Sequence, residues 1–194
     1  MESFKVIGIV DAYSSTHFIE FWSKLYPNKD KDNLYYYPLI NSNNINSELL
    51  LKYFELRWEK PLVSLRLGSF KLRVLPRLSR LSELKRDNEN DFSLIYKTCG
   101  DMSVYWVPWM ANLINSQCFP IFDIHVFRAF QFIENKTTDT TEYEHSKIVT
   151  LYLNKYLPFF EKLKQNNLSL DRMLLYQALW TFGKFLEDYK NVVE

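Results

Sequence analysis

The chain has 194 residues, 47% of them hydrophobic and 24% charged, enough to bury a core without disulfide or metal staples. Lys and Arg number 24 against 23 Asp and Glu, and the net charge of +1 excludes a strongly basic arm or an acidic tail. Two cysteines, Cys99 and Cys118, exclude a disulfide framework and a four-cysteine zinc site, and 4 glycines leave little room for a Gly-rich phosphate loop.

The apolar run near the start, Val6 to Val10, is too short for a signal peptide and lacks a basic flank. The longest apolar region, Val104 to Ile114, is broken by Pro108 and Asn112 and falls well short of the ~20 residues of a membrane-spanning helix. These features predict no membrane partner and a cytoplasmic, or nucleoid- or nucleus-associated, protein with reduced cysteines.

In chain order, residues 4–27 read as a short strand or helix followed by a helix carrying Phe18, Phe21, Trp22 and Leu25 at helical spacing. The Asn-rich stretch from Pro27 to Ser47 reads as a loop, and Ser47 as the cap of a helix that stops near Pro61. Pro76 places a helix start inside the basic stretch that follows. Asp91 is a plausible cap for Phe92 to Cys99, and a further helix around Trp106 and Trp109 bends or restarts at Pro108. A helix from Ile124 to about Glu134, a polar loop and two closing helices complete the chain. The pattern predicts a mainly α fold of about seven helices: one helical domain over residues 1–194, with an N-terminal part (1–65) and a second part (66–194).

Charge is unevenly placed. Residues 66–86 hold seven cations (Arg66, Lys71, Arg73, Arg77, Arg80, Lys85 and Arg86) against Glu83 alone. Such a run can neutralise phosphates and give salt-sensitive, sequence-independent binding to DNA or RNA. It can equally be the solvated side of a helix whose leucines face a core. Tyr35, Tyr36 and Tyr37 present a similar choice between stacking on bases and covering a core edge. His17, His125 and His145 have no metal-ligand spacing, so no metal or cofactor is expected.

The segment Phe119 to Phe130, FPIFDIHVFRAF, sets Pro120 in an extended entry and Asp123 at a helix start. Asp123 can simply accept the free amides of that helix. His125 and Arg128, three residues apart, share one side of it. The matched positions Pro120, Ile121, Asp123, His125, Val126, Arg128 and Ala129 resemble the segment that delivers the catalytic aspartate in the helix-hairpin-helix DNA glycosylase superfamily. The likeness extends over residues 90–190 and is strong over about a dozen of them.

That resemblance implies a helical glycosylase fold that flips a nucleotide and hydrolyses its N-glycosidic bond. Asp123 would stabilise the developing positive charge on the sugar, with His125, Arg128 and Tyr105 in support. The family's glycine-rich hairpin has only Gly100 as a counterpart, and Asp101 stands where a second glycine belongs. Lyase-type members carry a lysine near the position of Tyr105, and no Lys lies between Met102 and Phe122, so the resemblance implies a monofunctional hydrolase. An iron–sulfur cluster is not expected either, because no cysteine cluster follows the last helix. The alternative is a catalytically inactive module that binds nucleic acid or a protein partner.

Overall fold

Nine helices and no strands make up the described residues of this computed structural model, which describes residues 14–135 and 137–193. The strand or helix expected from residue 4 lies largely outside them. The fold is mainly α.

Contacts gather the helices into two units. The first holds α1 (Ser15–Lys24), α7 (Ile124–Asn135), α8 (residues 148–165) and α9 (Arg172–Val193). The second holds α2 (residues 29–41), α3 (Ser47–Trp58), α4 (residues 64–86), α5 (Phe92–Cys99) and α6 (Trp106–Ile114). The unit boundaries fall after Pro27 and Ile121, while position 65 lies inside the second unit.

In the first unit α9 is the central rod. Its stripe of Leu175, Ala178, Leu179 and Phe182 is buried against α7 and α1, where Trp22 and Phe18 meet Phe182 at ring distances of 5.1 and 5.2 Å. α8 contributes Tyr152, Tyr156 and Phe159, which pack with Phe122 and Phe130. Gly183 lets α7 and α9 approach closely: a Cβ there would lie 1.8 Å from the main-chain oxygen of His125.

In the second unit Phe54 of α3 sits among Phe70, Trp106 and Trp109 at 5.8, 5.0 and 5.6 Å. The stretch after Pro27, expected to be a loop, is largely helical as α2. Polar composition hid two inward-facing anchors, Tyr36 and Leu39, and a buried carboxylate, Asp32. Asp32 Oδ1 accepts from Arg57 Nη2 at 2.5 Å, and both side chains are buried. The Arg57 guanidinium also lies over the rings of Tyr36 and Tyr53, at 5.5 and 5.0 Å. Tyr36 therefore belongs to the core and stacks on Tyr53, while Tyr35 and Tyr37 keep part of their surface in water.

Three prolines lie inside helices at equivalent places. Pro38, Pro76 and Pro158 each come two residues after a wide π turn, formed by Asp32–Tyr36, Phe70–Val74 and Tyr152–Tyr156. In a regular α-helix a proline ring collides with the carbonyl four residues back and offers it no N–H. Here that carbonyl belongs to the middle of the wide turn, and the amide just before each proline reaches five residues back, to Asp32, Phe70 or Tyr152. The helices thus run through their prolines. The helix start expected near Pro76 is instead the interior of α4.

Candidate functional site

Asp123 caps α7. Its Oδ1 accepts from the main-chain N–H groups of His125 and Val126, both at 3.0 Å, and its Oδ2 accepts from the Tyr176 hydroxyl at 3.1 Å. The residue is 2% exposed. It sits next to Phe122, whose ring packs on Tyr143, Tyr152 and Tyr156. Burial raises the Tyr156 phenol well above its ordinary pKa, and the nearby Tyr152 and Asp123 add to the effect. The expected capping role is therefore present in full, and Tyr176 is a partner that no local pattern announces.

His125 and Arg128 share one side of α7, as their spacing predicts, and both point into the first unit. Arg128 Nη1 lies 3.3 Å from His125 Nδ1 and donates to the main-chain oxygen of Gly183 at 3.2 Å. Arg128 Nη2 donates to Glu187 Oε1 at 3.3 Å, and His125 Nδ1 stands 3.6 Å from Glu187 Oε2. The His125 ring meets the edge of Trp180 at 5.0 Å. Partial burial works against the Glu187 carboxylate, but the Lys184 ammonium and the Arg128 guanidinium hold its pKa below the usual range. These contacts tie α7 to α9. The solitary glycine within the α9 pattern was the sequence signal for this close crossing.

The seven cations of residues 66–86 lie in the second unit and divide by environment. Arg77 Nη2 donates to Asp101 Oδ1 at 2.7 Å, and Arg73 Nη1 donates to the main-chain oxygen of Asp101 at 2.8 Å. Arg80 pairs with Glu83 at 2.7 Å, Arg86 donates to Asn44 at 2.9 Å, and Arg66 lies 4.5 Å over the Trp58 ring. Lys71 is exposed. Tyr105 packs edge-on against Trp58 at 5.8 Å.

Gly100 has φ +59° and ends α5, its N–H donating to the Tyr96 oxygen at 3.1 Å. A Cβ on it would lie 3.0 Å from Arg77 Nη2. This glycine is needed for the turn that presents Asp101 to Arg73 and Arg77, and its amide closes the helix. Cys99 beside it is buried and free, its thiol pushed up to about 12 by burial.

Lys85 turns inward. Its Nζ donates to the main-chain oxygens of Ile40 and Leu113, at 3.0 and 2.6 Å, near the ends of α2 and α6. Burial lowers its pKa to about 8. The charged amine is thus less welcome in the folded chain than in the unfolded one, which holds more protons above that pH. Stability attributable to Lys85 rises between about pH 8 and 9.5, below the range where tyrosines ionise. Thermal unfolding across this window should favour the wild type over Lys85→Met increasingly as pH rises. A constant difference between the two would contradict the assignment.

An open cleft of about 370 Å³ borders α2 and α3, lined by Lys31, Tyr35, Lys52, Glu55 and Lys60 among others. Its charges are mixed, and Lys52 is paired with Glu55 at 2.9 Å. Among the described residues no three His, Cys, Asp or Glu side chains converge as a metal site, and no helix is long and apolar enough to cross a membrane. No family model matches the chain, and no curated protein or solved structure is significantly similar to it.

Proposed function

We propose that the chain is a noncatalytic helical module that binds an anionic partner through α4. The observation that carries this reading is the state of Asp123: 2% exposed, with Oδ1 on two amides and Oδ2 on Tyr176. A glycosylase carboxylate must approach the sugar of a flipped nucleotide and stabilise charge developing there. An oxygen pair already satisfied by the helix start and a tyrosine supports a structural role. The competing reading, base excision by Asp123, rests on the likeness of residues 120–129. The exposed cations of α4, among them Lys71, Arg73 and Arg80, supply the binding surface.

The two readings differ in what substitution of Asp123 does. Asn caps a helix as well as Asp, so Asp123→Asn should fold like the wild type. Asp123→Ala removes the cap and strands the Tyr176 hydroxyl, a loss of about 2–3 kcal/mol in urea unfolding. Incubation of the wild-type protein with DNA carrying uracil, 8-oxoguanine or alkylated bases should yield no abasic sites. Abasic sites formed by the wild type and lost in the folded Asp123→Asn variant would replace this reading with the enzymatic one.

A further inference from the structure

Helix α4 has two apolar faces, and only one is used by the core. Phe70, Val74, Leu81 and Leu84 are buried in the second unit. Leu65 is 90% exposed, Leu72 77%, Val63 63% and Leu75 37%. A single exposed leucine needs no account. Here four apolar side chains crowd positions 63 to 75 beside Arg66, Lys71 and Arg73, and no Asp or Glu occurs between Glu59 and Glu83. Exposed apolar patches rimmed by polar residues mark docking surfaces.

The arginines of α4 take a carboxylate of the chain itself as their counter-ion. Two guanidinium groups already hold a carboxylate: Arg77 at 2.7 Å from Asp101 Oδ1 and Arg73 Nε at 3.5 Å from Oδ2, with the Asp101 side chain 62% exposed. Arginine forks match the planar carboxylate geometrically, which a point charge does not.

We infer that this face of α4 docks an acidic amphipathic helix of a partner protein. The inference rests on the binding-module reading above and names the partner of that same surface. The partner's apolar stripe covers Leu65, Leu72 and Leu75, and its flanking carboxylates meet Arg66, Lys71 and Arg73. Nucleic-acid phosphates would satisfy the cations but leave the leucines against a charged backbone. An anionic bilayer would take both leucines and cations, and tight binding to phosphatidylserine vesicles is the outcome that would reveal it. A second copy of the same face would oppose Arg66, Lys71 and Arg73 to themselves.

The test is a fluorescence-anisotropy titration of the full chain against a labelled synthetic helix with Leu along one face and Glu on both flanks. Saturable binding that weakens as salt rises is expected. The double variant Leu65→Ser/Leu72→Ser should weaken it roughly tenfold, as loss of buried anchors does at interfaces. Lys71→Glu should reduce both affinity and salt dependence. All these positions are exposed, so circular dichroism should show unchanged helix content.

Failure of the peptide to bind, or equal affinity in the leucine variant, would overturn the inference. So would tighter binding to duplex DNA or to phosphatidylserine vesicles than to the peptide, or self-association abolished by the leucine substitutions. The excision assay judges the module reading separately. A chain that excises no base and ignores the peptide remains a module with another partner, whereas excision dependent on Asp123 removes the module reading itself.

Discussion

Gly183→Ala is expected to be among the most damaging single-methyl additions available in this chain. The new Cβ would lie 1.8 Å from the main-chain oxygen of His125, far inside any contact distance. The obstacle is backbone, so no side chain can swing aside. α7 and α9 must separate, and the Arg128 bond to the Gly183 oxygen at 3.2 Å and its pairing with Glu187 at 3.3 Å go with them. Overpacking of a well-filled crossing costs 1–3 kcal/mol, and here about 3 kcal/mol or more is expected because backbone meets side chain. For a chain of this size that corresponds to a fall in Tm of roughly 6–12 °C. Alanine is otherwise the better helix former, by about 1 kcal/mol, so an exposed helical glycine would respond in the opposite direction. Thermal unfolding followed by circular dichroism decides the sign. An unchanged or raised Tm would show that the crossing is looser than described.

Arg57→Met should be comparably severe, for an electrostatic reason. The Asp32 carboxylate is fully buried and meets the guanidinium at 2.5 Å. Removing one partner of a buried ion pair leaves the other charge without compensation, which costs about 3–5 kcal/mol. The cation also loses its positions over Tyr36 and Tyr53. Replacing both partners by apolar residues of similar size removes the uncompensated charge, and such exchanges are often neutral. The double variant Asp32→Leu/Arg57→Met should therefore recover most of the stability lost in Arg57→Met. Urea unfolding of the four proteins in the cycle measures the coupling. Simple addition of the two single losses would show that the pair does not act as a unit.

Both predictions concern features that the sequence displays poorly. Asp32 lies in an Asn-rich polar run that resembles a loop, and nothing local marks it as a core residue. Its partner Arg57 is 25 positions away, on another helix. Pro38 and Pro76 mislead in the same way, whereas the closing helix expected around Pro158 does run through it. By local rules a proline ends or starts a helix, but a wide π turn placed just before each of the three lets the helix continue. That adjustment is stabilised by packing: Phe70, Val74, Tyr152 and Tyr156 within those turns are all buried.

Other elements were legible because their causes are local. Asp91 caps α5, its Oδ1 accepting from the Ser93 amide at 2.8 Å, as a carboxylate before an apolar run should. Asp123 does the same for α7, at the position its extended Pro120 entry indicated. The cap of α3 is Asn46 and not Ser47, a shift of one residue between two good capping types. Trp106 and Trp109, on the helix expected around them, are buried, and so is Trp180 of α9.

The sequence by itself determined the mainly α architecture, most helix positions, the capping aspartates and the cationic run. Each of these follows from periodicity, capping chemistry or charge within a few residues of the chain. Only the tertiary structure decided what those groups face. It closed Asp123 with the distant Tyr176 hydroxyl, turned His125 and Arg128 toward Glu187, drew Lys85 onto the carbonyls of Ile40 and Leu113, and left Leu65 and Leu72 in water. The physical reason is common to all of them. A side chain's chemistry is fixed by its type, but its exposure and its partners depend on helices far away in sequence, which local pattern cannot register.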